Sequence, residues 1–485
     1  MSNVVHSLEL PPRSSFTPPS SRAIVPASVL AALIGGLAAV SPKLALAGAL
    51  GGLFVLAALI SLPAGVALFT ILVFLEAMPQ FASFPVVKLA GAALTLAWVF
   101  HLIRFRRPAI LLTRHPVFGY AALLFLTWVL ASSLWAADAG TAVYTGFQVL
   151  QALLLVMIVF TAASTPRHFR WIVWAFILGA LLDMLAGFFP GATPAVDPET
   201  GTSARLGGAT GDPNHLAAVL VPALVLSLFA QAAIRSQLAR LLLVASTVTL
   251  AIGILLTESR GAIVAAGVAL VAMMVLSGPV RARAVSGGLV VAAGGILYYA
   301  LIASPAALAR VTSFGSGSGR TNLWSVAMDA FKSHPIGGIG AGNFTVVEQT
   351  FAIGNVSLTR TSDVVLNHVV HNSYLQVLAE LGVVGYVLFA FLLVGALVIA
   401  WKAVQTFANS GDREMEILAR GLMIGSIGMF MAYFFLSAQY EKQLYLMLGA
   451  LVALSAVSLR SRNRATPTVD PSPVPAQRLP GRSSS

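Results

Sequence analysis

Cysteine is absent from the sequence, which excludes disulfides and thiol chemistry. Charge is scarce: Asp, Glu, Lys and Arg supply 9% of the 485 residues, against 58% hydrophobic. A soluble domain carries roughly 25% charged residues, so a soluble enzyme or binding module is excluded. The first apolar run lacks a small-residue cleavage site, and no signal peptide is expected. No internal repeat of the kind found in many transporters is visible. Segments too polar for lipid are also rare. Between the termini only one is long, from Leu308 to Leu381.

What remains is apolar helix. A membrane-crossing helix needs about 20 apolar residues, and such runs recur from Ile24 to Leu459. They fall at 24–41, 44–60, 62–78, 87–104, 116–134, 143–163, 169–189, 214–232, 239–256, 261–277, 285–303, 378–401, 417–437 and 442–459. The expected fold is all-α and polytopic, with about 12–14 transmembrane helices and one large loop at 304–377. The flanks, 1–23 and 460–485, are rich in Pro and Ser or in Pro and Arg, and read as disordered. The net charge of +12 implies no nucleic-acid partner, because much of the basic charge punctuates the spans. Arg104, Arg106, Arg107 and Arg114 follow one span, and Arg167 and Arg170 follow the next but one. Arg235 and Arg240, then Arg281 and Arg283, then Lys402 and Arg413, then Arg460, Arg462 and Arg464 continue the alternation. By the positive-inside rule those loops and both termini are cytoplasmic.

From Arg104 onward, the cations that break this pattern lie in the other loops: Arg205, Arg260, Arg310, Arg320, Lys332, Arg360 and Lys442. A cation that opposes the topology signal needs another reason to be there. Arg260, in TESRGA, opens a helix, where free backbone N–H groups and a guanidinium can serve one anion; the plainer reading is a snorkelling side chain paired with Glu258. Arg320 is presented by the GSGSG run, and its plainer reading is an exposed loop charge; a short amphipathic helix follows it, with Leu323, Trp324, Ala327, Met328 and Phe331 on one face, closed by Pro335. Two guanidiniums on one face suit a pyrophosphate, and Arg205 is a third candidate anion ligand. His371 heads HNSYLQVLAELG, where Asn372, Gln376 and Glu380 form a polar stripe at i, i+4, i+8 entering the membrane. It is the side chain suited to moving a proton near neutral pH, or it is an interfacial histidine bonded to loop backbone. Asn214, in GDPNHLA, suits an N-cap. Gly338, Gly340 and Gly342 mimic a dinucleotide fingerprint without its strand and helix. Asp412, Glu414 and Glu416 cluster on the cytoplasmic side, away from the arginines. The outward loops offer no paired carboxylates for a divalent metal, so no metal and no cofactor is expected.

The segments TESRGA at 257–262, GRTNLW at 319–324, PIGGIGAGNF at 335–344 and HNSYLQVLAELGVVGY at 371–386, with GDPNHLA at 211–217, resemble the O-antigen ligase and polymerase family of bacterial membrane glycosyltransferases. The resemblance spans about residues 200–460. It implies a lipid-linked-sugar (GT-C-like) glycosyltransferase architecture in the cytoplasmic membrane. It implies a glycan taken from undecaprenyl diphosphate on the outer face and passed to a lipid or glycan acceptor hydroxyl, without metal. The family's diphosphate arginines fall on Arg260 and Arg320, less securely on Arg205, and its histidine falls on His371. Ligase and polymerase differ in acceptor, and no residue in the sequence decides between them. A transporter or flippase that binds the same lipid without chemistry is the alternative of another class.

Overall fold

The computed structural model describes residues 41–78, 85–105, 110–189, 195–196, 203–312, 320–353 and 369–465. The expected span at 24–41, apart from its last residue, and the expected disorder of 1–23 and 466–485 lie outside the described residues. The chain divides into two units, Met1–Leu56 and Ala57–Ser485. The first contributes most of helix α1 (Pro42–Ile60) to the described residues. All the rest belongs to the second.

Helices make up almost all of that second unit. In order they are α2 (Leu62–Phe74), α3 (Val86–Arg104), the short α4 (Ile110–Arg114), α5 (Pro116–Ala131), α6 (Ala139–Ala162) and α7 (Pro166–Ala186). A two-stranded antiparallel pair follows, β1 (Ala195–Val196) and β2 (Ser203–Arg205). Then come α8 (Pro213–Ala233), α9 (Gln237–Leu256), α10 (Arg260–Leu276) and α11 (Arg281–Leu301). The long polar segment holds α12 (Pro305–Thr312), α13 (Arg320–Ser333) and α14 (Phe344–Ile353). The chain ends in α15 (Ser373–Ser410), α16 (Arg413–Ala432) and α17 (Lys442–Ala465). Ten of the described helices are long and apolar enough to cross a membrane, and three more apolar helices are shorter. The chain is a multi-pass helical membrane protein, and each expected span within the described residues coincides with a helix.

Two differences matter. The last helix runs on to Ala465, beyond the expected start of a disordered tail at 460. Among the described residues the long loop carries three helices of its own, and α13 begins at Arg320 itself. Its packed face is rotated from the expected one: Val326, Ala327 and Ala330 are buried with Ile339, Phe344, Val370 and Ala379, while Leu323, Met328 and Phe331 are only half-buried. The small Ala side chains let α13 lie close against the start of α15, which a bulkier stripe would hold off.

Helix starts follow the sequence closely. Asp138, Thr165, Asp212, Ser236, Ser259, Asn372 and Asp412 each accept a backbone N–H from the first turn of the helix they precede, a contribution of about 1 kcal/mol apiece. The centre of the bundle is α8, α16 and α17, whose spans are 78% buried, against 11% for the span containing α11. On α16, Gly421 faces Phe229, Gly425 faces the backbone of Pro222, and Gly428 faces Val221. This strip of glycines lets α8 and α16 meet at backbone distance, where dispersion rather than the hydrophobic effect holds helices together in lipid.

Candidate functional site

The polar residues converge where α8, α10, α15 and α17 begin and α9 and α16 end. Between α9 and α10 the chain reverses within Thr257–Ser259. Glu258 sits there at φ +48°, and Ser259 caps α10, so Arg260 is that helix's first residue. β2 ends alongside: the Leu206 N–H donates to the Leu256 carbonyl at 2.9 Å, and Arg205 Nε donates to the Thr257 carbonyl at 2.9 Å. Asn214 ties the three segments together. Its Oδ1 accepts from Ser259 Oγ at 2.8 Å and from Arg205 at 3.5 Å. The α8 cap is therefore Asp212, whose Oδ1 takes the N–H groups of Asn214 and His215, and the N-cap reading of Asn214 is corrected. Asn214 stands inside the first turn, which frees its amide to bridge.

Arg320 enters this group from the loop, and the Gly/Ser run expected to present it lies outside the described residues. Burial and the Arg260 guanidinium hold Arg320 below the usual arginine range, while Asp212 pulls the other way. Burial and Arg310 likewise lower Arg205, with Asp212 and Glu258 opposing and Arg320 adding to the shift. Arg310, on α12, pairs with the buried Glu258. Among the described residues, then, four arginines face two carboxylates, Asp212 and Glu258, in a partly desolvated corner. Guanidiniums gathered in this way suit an anion bound among them. Arg205 spends one edge on the Thr257 carbonyl and contributes to the reversal as well as to the field.

His371 lies across from α13. Trp324 Nε1 donates to the Val370 carbonyl at 3.1 Å, one residue before His371, and Asn372 Oδ1 caps α15 through the N–H groups of Tyr374 and Leu375. Held on both sides, His371 takes φ +54°, a left-handed conformation uncommon outside glycine. Among the described residues the non-glycine positions with positive φ are Glu258 and His371, and each immediately precedes the cap of a helix that opens onto this corner. Strain of this kind gathers at functional sites.

The polar stripe below His371 is spent on contacts within the protein. Asn372 is consumed as the cap. Gln376 and Glu380 are buried, and Gln376 Nε2 donates to Glu380 Oε1 at 2.8 Å. Glu380 Oε2 accepts from the Gly342 N–H at 2.9 Å and the Tyr440 hydroxyl at 3.0 Å. The Gly-rich turn docks here: Ile339 and Gly340 donate to the carbonyls of Ala379 and Glu380. It meets a break in α15 at Gly382, at φ +66° and ψ −169°, where an added Cβ would lie 2.1 Å from the Ile336 oxygen. Only glycine fits that conformation and that gap. Gly338, Gly340 and Gly342 are thus the wedge that anchors the loop to α15.

One further segment joins the parts, and sequence reading passed over it. The turn after α16 carries Phe434, whose ring meets those of Trp324 and Tyr374, at centroid distances of 6.0 and 6.1 Å. Phe435 packs on Gly261, and the Leu436 carbonyl accepts from Ser373 Oγ at 2.6 Å. Tyr440 reaches Glu380, and Glu441 lies 4.0 Å from His215 Nε2. The helices that bring Arg260, Arg320 and His371 are therefore registered on a single turn. Tyr440 and Glu441 were not singled out from sequence, because neither sits in a motif; Asp212 and Glu258 lie in GDPNHLA and TESRGA, and Arg310 stood out only as a cation that breaks the alternation. Other outward cations have plain partners: Lys332 pairs with Asp329 at 3.2 Å and Lys442 with Glu76 at 2.7 Å. Arg360 lies outside the described residues. The carboxylates at the far end are structural: Asp412 caps α16, Glu414 pairs with Arg170, and Glu416 pairs with Arg420.

Residues 245–390 match the family model described as O-Antigen ligase. The matched stretch contains Arg260, Arg310, Arg320, His371 and the Gly-rich wedge. No curated protein matches the chain.

Proposed function

We propose, from the match of residues 245–390 to the O-Antigen ligase family model, that the chain transfers a glycan from a polyprenyl diphosphate, undecaprenyl diphosphate in a bacterium, to an acceptor hydroxyl in surface polysaccharide synthesis. The single observation that carries this reading is the convergence of Arg260, Arg320, Arg205 and Arg310 in one partly desolvated corner. A diphosphate is the anion that two adjacent guanidiniums and a helix N-terminus suit. The alternation of basic loops supports an active site on the extracytoplasmic face of the cytoplasmic membrane.

In the reaction the acceptor oxygen attacks the anomeric carbon as the bond to the diphosphate oxygen breaks. The leaving oxygen keeps the electron pair, and Arg260 and Arg320 stabilise the charge that grows there. His371 takes the hydroxyl proton. Attack opposite the leaving group inverts the anomeric centre, and the arginines take the charge-stabilising part that a metal plays elsewhere. Gln376 and Glu380 position the Gly-rich wedge, and Asn372 holds the turn on which His371 sits.

The test is a reconstitution of the purified chain with an undecaprenyl-diphosphate oligosaccharide in the presence of EDTA, read by mass spectrometry. Longer lipid-linked chains without added acceptor identify a polymerase, and transfer only after an acceptor is supplied identifies a ligase. Donor binding with no transfer to any acceptor would return the transporter reading. His371→Ala, well expressed and binding donor normally, is expected to be inactive; full activity would remove His371 from catalysis.

A further inference from the structure

A transferase that joins two lipid-anchored partners needs two places for hydrocarbon, and the cationic corner accounts for one headgroup only. A groove of about 450 Å³ runs between α3 and α6, floored by Phe69 and closed at one end by Tyr440 and Lys442. On α6 it extends from Tyr144 to Ile158, about 21 Å at 1.5 Å per residue, out of a hydrocarbon core of about 30 Å. It opens sideways: Leu96, Tyr144 and Phe147 are 71%, 53% and 54% exposed.

Apolar surface facing lipid is ordinary, so the groove's shape alone says nothing. Its polarity does. Lys88 lies 6.0 Å from the Tyr144 ring centroid at the same end as Lys442. Gln148 and Gln151 come next along α6, and the far end is lined by Leu94, Leu154 and Ile158. Charged mouth, amide neck and apolar shaft are the profile of an anionic lipid with its head at the Lys88 end. Lys88 is also at the opposite end of α3 from Arg104, so it counters the positive-inside pattern, as the corner arginines do. Consecutive residues of one turn face the two places. Tyr440 lines the groove and bonds Glu380, while Glu441 is 4.0 Å from His215 beside the arginine corner.

We infer that this groove seats the hydrocarbon chain of the acceptor lipid, with the acidic headgroup at Lys88, apart from the donor diphosphate at Arg260 and Arg320. The inference rests on the transferase reading for the word acceptor. The lipid site itself does not depend on it.

The full-length chain in nanodiscs is labelled with diazirine-bearing undecaprenyl phosphate, and crosslinked peptides are mapped by mass spectrometry. Labelling is expected within 87–96 and 144–158. Ala92→Trp, introduced from an exposed wall position, should cut it about tenfold. Lys88→Glu should cut it about fivefold, while labelling by an uncharged polyprenol probe is unchanged. Arg320→Ala, checked for an unaltered melt, should leave it intact. A diazirine-bearing anionic lipid with several acyl chains, run in parallel, tells a ligase-type acceptor from a polyprenyl one; stronger labelling by either anionic probe supports the site. Absent labelling, equal labelling by a phosphatidylcholine probe, or loss of labelling in Arg320→Ala would each overturn the inference, the last by making the groove the donor's own tail path. A chain that proves inactive in glycan transfer would leave a positive labelling result standing.

Discussion

The two ends of the central bundle are both rich in arginine, and they use it in opposite ways. Where α8 and α10 end and α9, α11 and α16 begin, Arg235, Arg240, Arg283 and Arg413 line an open cleft with Glu414. All four are exposed, and two of them cover carbonyls just past helix ends: Arg240 reaches Ile234 and Arg413 reaches Pro279. Such charges fix orientation and satisfy helix ends at little expense. At the other end Arg205, Arg260, Arg310 and Arg320 are drawn from four separate segments and partly desolvated. Burial, with the neighbouring cations adding to it, holds Arg320 and Arg205 below their ordinary range. Crowding cations away from water is unfavourable. Crowding them at one end and not at the other is what the proposed diphosphate site calls for.

The sharpest way to break this comparison is to exchange arginine for alanine at each end. Arg260→Ala and Arg320→Ala should each lower glycan transfer by about 100-fold or more, as loss of a charge-stabilising donor does. The Lys variants should recover only part, since lysine lacks the guanidinium fork. Arg240→Ala and Arg283→Ala should leave transfer near the parent rate in the same assay. Equal losses at both ends would mean that the corner holds no special anion.

A smaller effect sharpens the account of how the corner is tolerated. Glu258→Ala removes the buried partner of Arg310 and should destabilise the fold by about 3 kcal/mol, read as a lower unfolding midpoint in detergent. A polyprenyl diphosphate should restore part of that loss by binding the folded state. Next, Asn214→Ala deletes the acceptor shared by Ser259 and Arg205. A decrease of about 1–2 kcal/mol is expected, with donor affinity reduced because the Thr257–Ser259 reversal loosens. Smallest of all, Arg240→Gln should shift stability by no more than about 0.5 kcal/mol.

Much of the fold was legible because lipid simplifies the code. Every span within the described residues could be read as an apolar run, and helix starts could be read from Asp, Ser, Thr and Asn at the caps. Arg260, Arg320 and His371 were also legible, as polar residues in the wrong place for topology. Their partners were not. Arg310 sits in an unremarked eight-residue helix, and Glu258 looked like the partner of its neighbour Arg260 until the fold brought Arg310 to it. Asn214 looked like a cap because the capping residue two positions earlier, Asp212, is as good a cap. Glu380 read only as one member of a polar stripe, and its partners Gly342 and Tyr440 come from other segments.

The sequence by itself determined that the chain crosses the membrane many times, which loops are basic, and which few polar groups stand out from the apolar background. These are local properties, set by hydropathy over one helix length and by charge over one loop. The tertiary structure decided which of those groups meet. That depends on contacts between residues as distant as Glu258 and Arg310, or Glu380 and Tyr440, and on glycines at 382 and 421 that let backbones approach. No periodicity within a segment encodes such pairings. They follow from which helix faces pack together, and only the assembled bundle fixes that.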